Sequence, residues 1–324
     1  MLIDQQFRKS VALLCVDVGT RRIAAGTAFF VGVPIASDAV VPYVVTALHC
    51  VYAARPFGPL HLRLNLRSEL VPHGAPGFVD LPLAPDAWIE HPTTDVAIAR
   101  MPALTQTTDW LWIPQVMIAS AEYVSTQGVG VGDEVFFAGL FSQHPGLQRF
   151  QPIVRFGNIS MMPHEKVSIE VLPGVATEVD AYLIEARSWG GHSGSPTFIY
   201  YPPDRRPGVV AVGGPAPALL GLVSAHYPVP NEPEAMRDSL DSTQGSPNAG
   251  IAVVVLAQAI LDLLNAKELV TEREEAKKQV AAGRPSPRAD SSLPHGYTRK
   301  SFLSDLEKAT KPLPEGEKPD PTKP

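Results

Sequence analysis

The sequence predicts an all-β fold. Short runs rich in Val, Ile, Leu and Phe recur from residue 11 to 256, and Gly, Pro, Asp and Asn separate them. No amphipathic helical window breaks the series. Many short strands without intervening helices indicate a sandwich or barrels, not a parallel sheet wrapped in helices. The 324 residues suffice for a sizeable core in one or two domains, and 45% hydrophobic with 19% charged residues fits a soluble globular protein.

In chain order, residues 1–10 lead in to a first strand, "VALLCVDV" (11–18). "GTAFFVGV" (26–33) and "YVVTALHC" (43–50) follow as apolar strands, the second carrying His49 near its end. "LHLRLNL" (60–66) alternates apolar and polar residues, as a half-exposed antiparallel strand should. "DVAIARM" (95–101), "DEVFFAGL" (133–140), "KVSIEVL" (166–172), "AYLIEA" (181–186), "GVVAVG" (208–213), "LLGLVSA" (219–225) and "GIAVVVL" (250–256) complete the series. Helical periodicity appears only over 257–283, where Ile260, Leu263, Leu264 and Val270 share a stripe that is expected to pack on the second half of the β region. Residues 284–324 are polar and rich in the chain's 33 prolines, so they read as a disordered tail open to a protein partner, with a short helix at "SFLSDLEKA".

Charge and cysteine content exclude several function classes. Residues 266–324 hold 12 Lys and Arg against 10 Asp and Glu, which leaves 15 against 23 in residues 1–265. An acidic body argues against nucleic-acid binding, which needs a basic surface. Cys15 and Cys50 lie in apolar runs and give neither a disulfide framework nor metal-ligand spacing, so no metal or cofactor is expected. No stretch reaches the ~18 apolar residues of a membrane helix, and Asp17 interrupts the only apolar run near the N-terminus. The expected address is cytoplasmic.

The unusual stretch is "WGGHSGSPTF" (189–198), which centres on Ser193. A serine hydroxyl is a weak nucleophile at neutral pH. It needs a base in hydrogen-bond reach, a carboxylate to orient the base, and N–H donors aimed at the developing oxyanion. His49 is the candidate base; taken alone it also reads as a core histidine at a strand end. Asp95, after the turn "HPTT", is the candidate carboxylate; alone it reads as a turn aspartate. Gly191 and Gly194 free the backbone around Ser193 for a loop whose N–H groups converge; alone this is a Gly-rich turn.

Jointly, the order His49, Asp95, Ser193 with these flanks resembles the chymotrypsin-like serine protease family. "TALHC" is similar to its Thr-Ala-Ala-His-Cys signature, and "DVAIARM" to its Asp-Ile-Ala-Leu segment. "GHSGSP" is similar to Gly-Asp-Ser-Gly-Gly-Pro, and closer to the Gly-Asn-Ser-Gly-Ser-Pro of bacterial glutamyl-endopeptidase-like members. "GLVSA" (221–225) resembles the strand that pairs with bound substrate. The resemblance covers roughly residues 11–264. It implies two antiparallel six-stranded β-barrels, over 11–118 and 119–256, with the site between them. It also implies a general base in His49, an orienting carboxylate in Asp95, a nucleophile in Ser193 and an oxyanion hole from the N–H groups of Gly191 and Ser193. A polypeptide substrate would lie along Ser224, Ala225 and His226.

The departures are informative. Where members activated by cleavage carry an aspartate that pairs with a new N-terminus, this chain has His192. No switch of that kind is expected, and local contacts must hold the loop. His226 stands where many members have Gly, and Arg187 lies near the family's pocket base, where an inward guanidinium would favour acidic or small side chains; an exposed strand-end arginine is the alternative. Cys50 matches a family cysteine, but its usual partner position near Ala24 and Ala25 has none, so no disulfide is expected.

Two rivals remain. An α/β-hydrolase elbow, G-x-S-x-G, is opposed by Ser195 in place of its second glycine, by Pro196, Pro202 and Pro203 where a helix should follow, and by the missing β/α alternation. A protease fold kept as a catalytically silent peptide-binding or scaffold module would leave the same letters.

Overall fold

The computed structural model describes residues 2–282 apart from 38, 72, 74, 102–106, 142, 143, 145, 147, 173, 187–190, 204, 206–214 and 229–247. The strand expected at 208–213 and the tail from 284 lie outside the described residues. The fold is mostly β, built from two antiparallel sheets.

The first sheet is formed by β1 (Val11–Val18), β2 (Arg21–Pro34), β3 (Val40–Thr46), β4 (Leu60–Asn65), β5 (Phe78–Leu83), β6 (Trp88–Glu90), β7 (Ala97–Arg100) and β8 (Ile113–Pro114). Its spatial order is β5, β4, β1, β2, β3, β7, β6, with β8 parallel to β2. The second sheet holds β9 (Glu134–Gly139), β10 (Ile153–Met161), β11 (Lys166–Leu172), β12 (Val175–Glu185), β13 (Pro196–Ile199), β14 (Ala218–Pro228) and β15 (Asn248–Leu256). Its order is β10, β9, β13, β14, β15, β12, β11, and a further β10–β12 pairing closes six of these strands into a ring, with β11 outside it. The second sheet thus matches the expected six-strand barrel plus one added strand. The first has eight strands, and β5 and β6 end its path without pairing to each other among the described residues.

Alternation sets the inner faces. Leu60, Leu62 and Leu64 of β4 are buried while their neighbours are partly exposed, and Val167, Ile169 and Val171 of β11 repeat the pattern. One hydrophobic cluster crosses both sheets, joining Phe29, Val44 and Ile98 of the first to Phe136, Phe198, Leu222 and Val253 of the second. The lead-in contributes to it. Residues 5–9 form a short helix, α1 (Gln5–Lys9), and Phe7 packs against Phe136 and Phe198 with ring centroids 5.2 and 4.7 Å away. Burying such a ring is worth roughly 1.5–3 kcal/mol.

Two local differences from the sequence reading bear on the site. The run 43–50 is not one strand: β3 stops at Thr46, and His49 lies in the first turn of α2 (Leu48–Ala54). The N-cap of α2, Ala47, supplies no side-chain hydrogen bond, and Asp95 instead accepts from the His49 N–H. That long-range cap explains a helix with no local start signal. The apolar face of β11 joins the same cluster as Val51 and Ala54, so the second sheet also braces α2. A further short helix, α3 (Ala121–Thr126), precedes β9.

The C-terminal segment forms two helices, α4 (Gln258–Leu264) and α5 (Lys267–Ala281). The break at Asn265–Ala266 resets the phase of the apolar stripe. Ile260, Leu263 and Leu264 are buried as expected, but Leu269 replaces Val270, which is exposed. α5 docks on the first sheet, not the second. Arg100 of β7 pairs with Glu268 and Glu272, and the buried Arg273 donates to Tyr43 Oη of β3 at 3.1 Å and to Leu264 O at 2.6 Å.

Candidate active site

The buried Asp95 carboxylate is where the two sheets meet chemically. It lies in the turn before β7 and is 0% exposed. Oδ1 accepts from the His49 backbone N–H at 2.8 Å, and Oδ2 lies 2.7 Å from His49 Nδ1. Ser224 of β14, itself buried, donates its hydroxyl to Oδ2 at 2.5 Å. A buried carboxylate needs such partners, since desolvation is costly without them. An imidazole held this way keeps its proton on Nδ1 and leaves Nε2 as the basic nitrogen. Burial opposes charge on His49, but Cys50 and the hydrogen bond to Asp95 outweigh it, and the His49 pKa is raised well above the usual histidine value.

Gly194, next to Ser193, sits against the N-terminal end of α2. A Cβ placed on Gly194 would lie 2.5 Å from Thr46 Oγ1 and 3.2 Å from Ala47 N, the residues that lead into that helix. A Cβ on Gly26 would lie 2.7 Å from Cys50 Sγ and 3.2 Å from Ser193 O. Glycine is therefore required at both close approaches. His49 Nε2 contacts Cys50 Sγ at 3.5 Å, and among the described residues no hydrogen bond joins it to Ser193 Oγ. Catalytic hydrogen bonds of this kind are often long before substrate binds.

Carbonyl contacts fix the loop backbone. Thr27 of β2 donates its hydroxyl to Gly191 O at 2.8 Å and its N–H to Ser193 O at 2.8 Å. Ser195 N–H donates to His192 O at 2.9 Å, and Gly194 N–H to Val223 O at 2.7 Å. Gly191 and Gly194 take φ of +100° and +83°, a region that glycine enters without strain. Gly191 N–H and Ser193 N–H donate to no described residue.

His192 turns inward, 1% exposed. Its ring stands edge-on to Phe137, and its Nε2 lies 3.1 Å from Arg155 Nε. Burial and then the nearby Arg155 and His226 push its pKa down to about 3. The local contacts expected to hold the loop are thus Thr27 and Arg155, neither of which the sequence had singled out.

Ser224, Ala225 and His226 lie on β14 beyond Leu222, where β13 pairing ends. On that side no described strand pairs with them, while β15 covers the other side. The open edge can take an extended chain as an added strand. Burial lowers the His226 pKa. Arg187 lies outside the described residues. Both cysteines are free and buried. Among the described residues no group of three or more His, Cys, Asp or Glu could hold a metal ion, and no helix is long and apolar enough to cross a membrane.

Neither a protein-family model nor a curated protein matches the chain. Among solved structures it is similar to the MamO protease domain from Magnetospirillum magneticum, apo form, at 16% identity and a TM-score of 0.45, covering 80% of this chain and 98% of that one. It is also similar to the Rv3671c protease from M. tuberculosis in its active form, at 16% identity and a TM-score of 0.42, covering 80% and 81%. The inactive form of the Rv3671c protease gives 17% identity and a TM-score of 0.42, covering 80% and 88%. Each overlap is loose, with a TM-score below 0.5.

Proposed function

We propose that the chain is a trypsin-like serine endopeptidase that cleaves peptide bonds through an acyl-enzyme on Ser193. His49 takes the Ser193 proton as general base and returns it to the leaving amine as general acid. Asp95 holds His49 in the required tautomer. The N–H groups of Gly191 and Ser193 receive the oxyanion. The substrate adds as a strand along Ser224, Ala225 and His226. This chemistry calls for no metal or cofactor. An inward Arg187 guanidinium would favour acidic or small side chains before the scissile bond.

The observation that carries this reading is the buried Asp95 carboxylate, which binds His49 of α2 and Ser224 of the second sheet. The test is hydrolysis of a peptide mixture that includes Glu, Asp, Lys and Phe before the cleaved bond. Wild type should cut it, and Ser193→Ala and His49→Ala should each lose a factor on the order of 10⁶ in kcat with the fold retained. Wild-type rates in either variant would overturn the assignment.

One observation favours a second reading, a catalytically silent peptide-binding module: His49 Nε2 faces Cys50 Sγ at 3.5 Å without a hydrogen bond to Ser193. On that reading peptides bind along Ser224–His226 and are recovered uncut.

A further inference from the structure

His192 directly precedes the proposed nucleophile in a Gly-rich turn. Here the side chain of His192 is buried beneath the loop, and its ring has one polar partner, Arg155 Nε at 3.1 Å. Arginine has donors only. The ring nitrogen that meets it must therefore carry the lone pair, so His192 is neutral with its proton on Nδ1. Nδ1 itself is buried without a hydrogen-bond partner, as is Ser195 Oγ. A Cβ on Gly139 would collide with Ser195 Oγ and lie 3.1 Å from His192 Nδ1, so both orphaned atoms occupy one chamber under the loop. The Arg155 bond is then the only polar tie that keeps the ring in this chamber among the described residues.

The ring is coupled to the backbone that faces the cleft. The carbonyl of His192 points to Ser195 N–H. In a trans peptide the N–H of the next residue points the opposite way, so Ser193 N–H is directed away from the chamber. This peptide turns about the His192 ψ and the Ser193 φ, and Gly191 and Gly194 stand on either side of the pair with positive φ that only glycine takes without strain. Without Arg155, a buried ring acceptor would have no partner, a penalty relieved when the ring leaves or the peptide rotates. Either movement would withdraw Ser193 N–H from the cleft.

We propose that Arg155 is a positioning residue: by holding neutral His192 in the chamber under the loop, it sets the direction of the N–H groups that receive the substrate carbonyl oxygen. This rests on the endopeptidase reading. Arg155 arrives from β10, and its guanidinium packs 5.9 Å from the Phe141 ring. Thr27, from the other sheet, grips the carbonyls on both sides of His192. The loop is therefore clamped from two independent elements.

The test compares Arg155→Met, Arg155→Lys, His192→Leu and the Arg155→Met/His192→Leu double variant in the full chain. Arg155→Met should lower kcat about 100-fold, the loss typical of a misdirected oxyanion donor, with KM within about threefold. Arg155→Lys should recover part of the loss, and Arg155→Met should cost nothing further once His192 is Leu. Backbone ¹⁵N–¹H resonances of Ser193, Gly194 and Ser195 should shift in Arg155→Met and stay near wild type in Arg155→Lys. Unchanged kcat and unchanged loop resonances in Arg155→Met would overturn the inference, as would fully additive losses in the double variant. If wild type itself turns over no peptide, the endopeptidase reading fails, while the loop resonances still decide whether Arg155 sets the loop.

Discussion

The N–H of Thr27, in the first sheet, donates to the carbonyl of Ser193, in the loop that leads into β13 of the second, over 2.8 Å. The Thr27 hydroxyl donates to Gly191 O at 2.8 Å and accepts from Leu140 N–H at 2.9 Å. One fully buried residue thus ties the loop around Ser193 to the opposite sheet. Thr27→Val keeps the shape and leaves a buried carbonyl and a buried N–H without partners. It should cost about 2 kcal/mol in stability, read by urea unfolding, and lower kcat, while Thr27→Ser stays near wild type. A Thr27→Val protein with wild-type stability and rate would show that the tie is dispensable.

Asp95, fully buried, collects three hydrogen bonds. Asp95→Asn should leave a folded protein whose imidazole is held in the wrong tautomer, with kcat down about 10⁴-fold. Ser224→Ala removes one donor from the same carboxylate and should have a smaller effect, about 10-fold, since a hydrogen bond to a charged group is worth about 1.5–3 kcal/mol and solvent can replace part of it. An Asp95→Asn rate closer to wild type than that of Ser224→Ala would contradict these roles.

The pH profile follows from two histidines with opposite shifts. A general base must be neutral to act. The His49 pKa is raised well above 6.5, so kcat/KM should climb with pH through a midpoint above that value and flatten once His49 is deprotonated. His192 is held near 3 and stays neutral across this range, so it should add no second step. A midpoint below 6.5 would contradict the charge environment assigned to His49.

Arg273 is buried between α5 and the first sheet, bonded to Tyr43 Oη and Leu264 O. Arg273→Met should lower stability by about 2–3 kcal/mol, read as a fall in Tm, and leave kcat at permissive temperature unchanged. An equal loss of kcat without a fall in Tm would mean that α5 acts on the site.

The sequence exposed the β series, and of the residues it ordered as His49, Asp95 and Ser193 the first two meet in a hydrogen-bonded pair. What it hid depends on distant partners. α2 starts where the His49 N–H in its first turn finds Asp95, 46 positions away, so the run 43–50 read as strand to its end. Thr27 is one threonine in an apolar strand, and its role appears only when Gly191 and Ser193 are brought to it. β10, "IVRFGNISM", mixes Arg155, Gly157 and Asn158 with apolar residues and gave no strand signal, so Arg155 went unnoticed. α1 is only five residues long, too short for a periodic pattern, yet it delivers Phe7 to the core. At the C-terminus the stripe was extrapolated through Asn265–Ala266, where the helix breaks, which exchanged Leu269 for Val270.

The central claim is that Ser193 is an activated nucleophile. The most direct measurement is intact-mass and peptide-level mass spectrometry after treatment with a fluorophosphonate probe. The account predicts a single adduct on Ser193, absent from Ser193→Ala and strongly slowed in His49→Ala. A well-folded wild-type protein that forms no adduct, or forms it equally on Ser195, would contradict it.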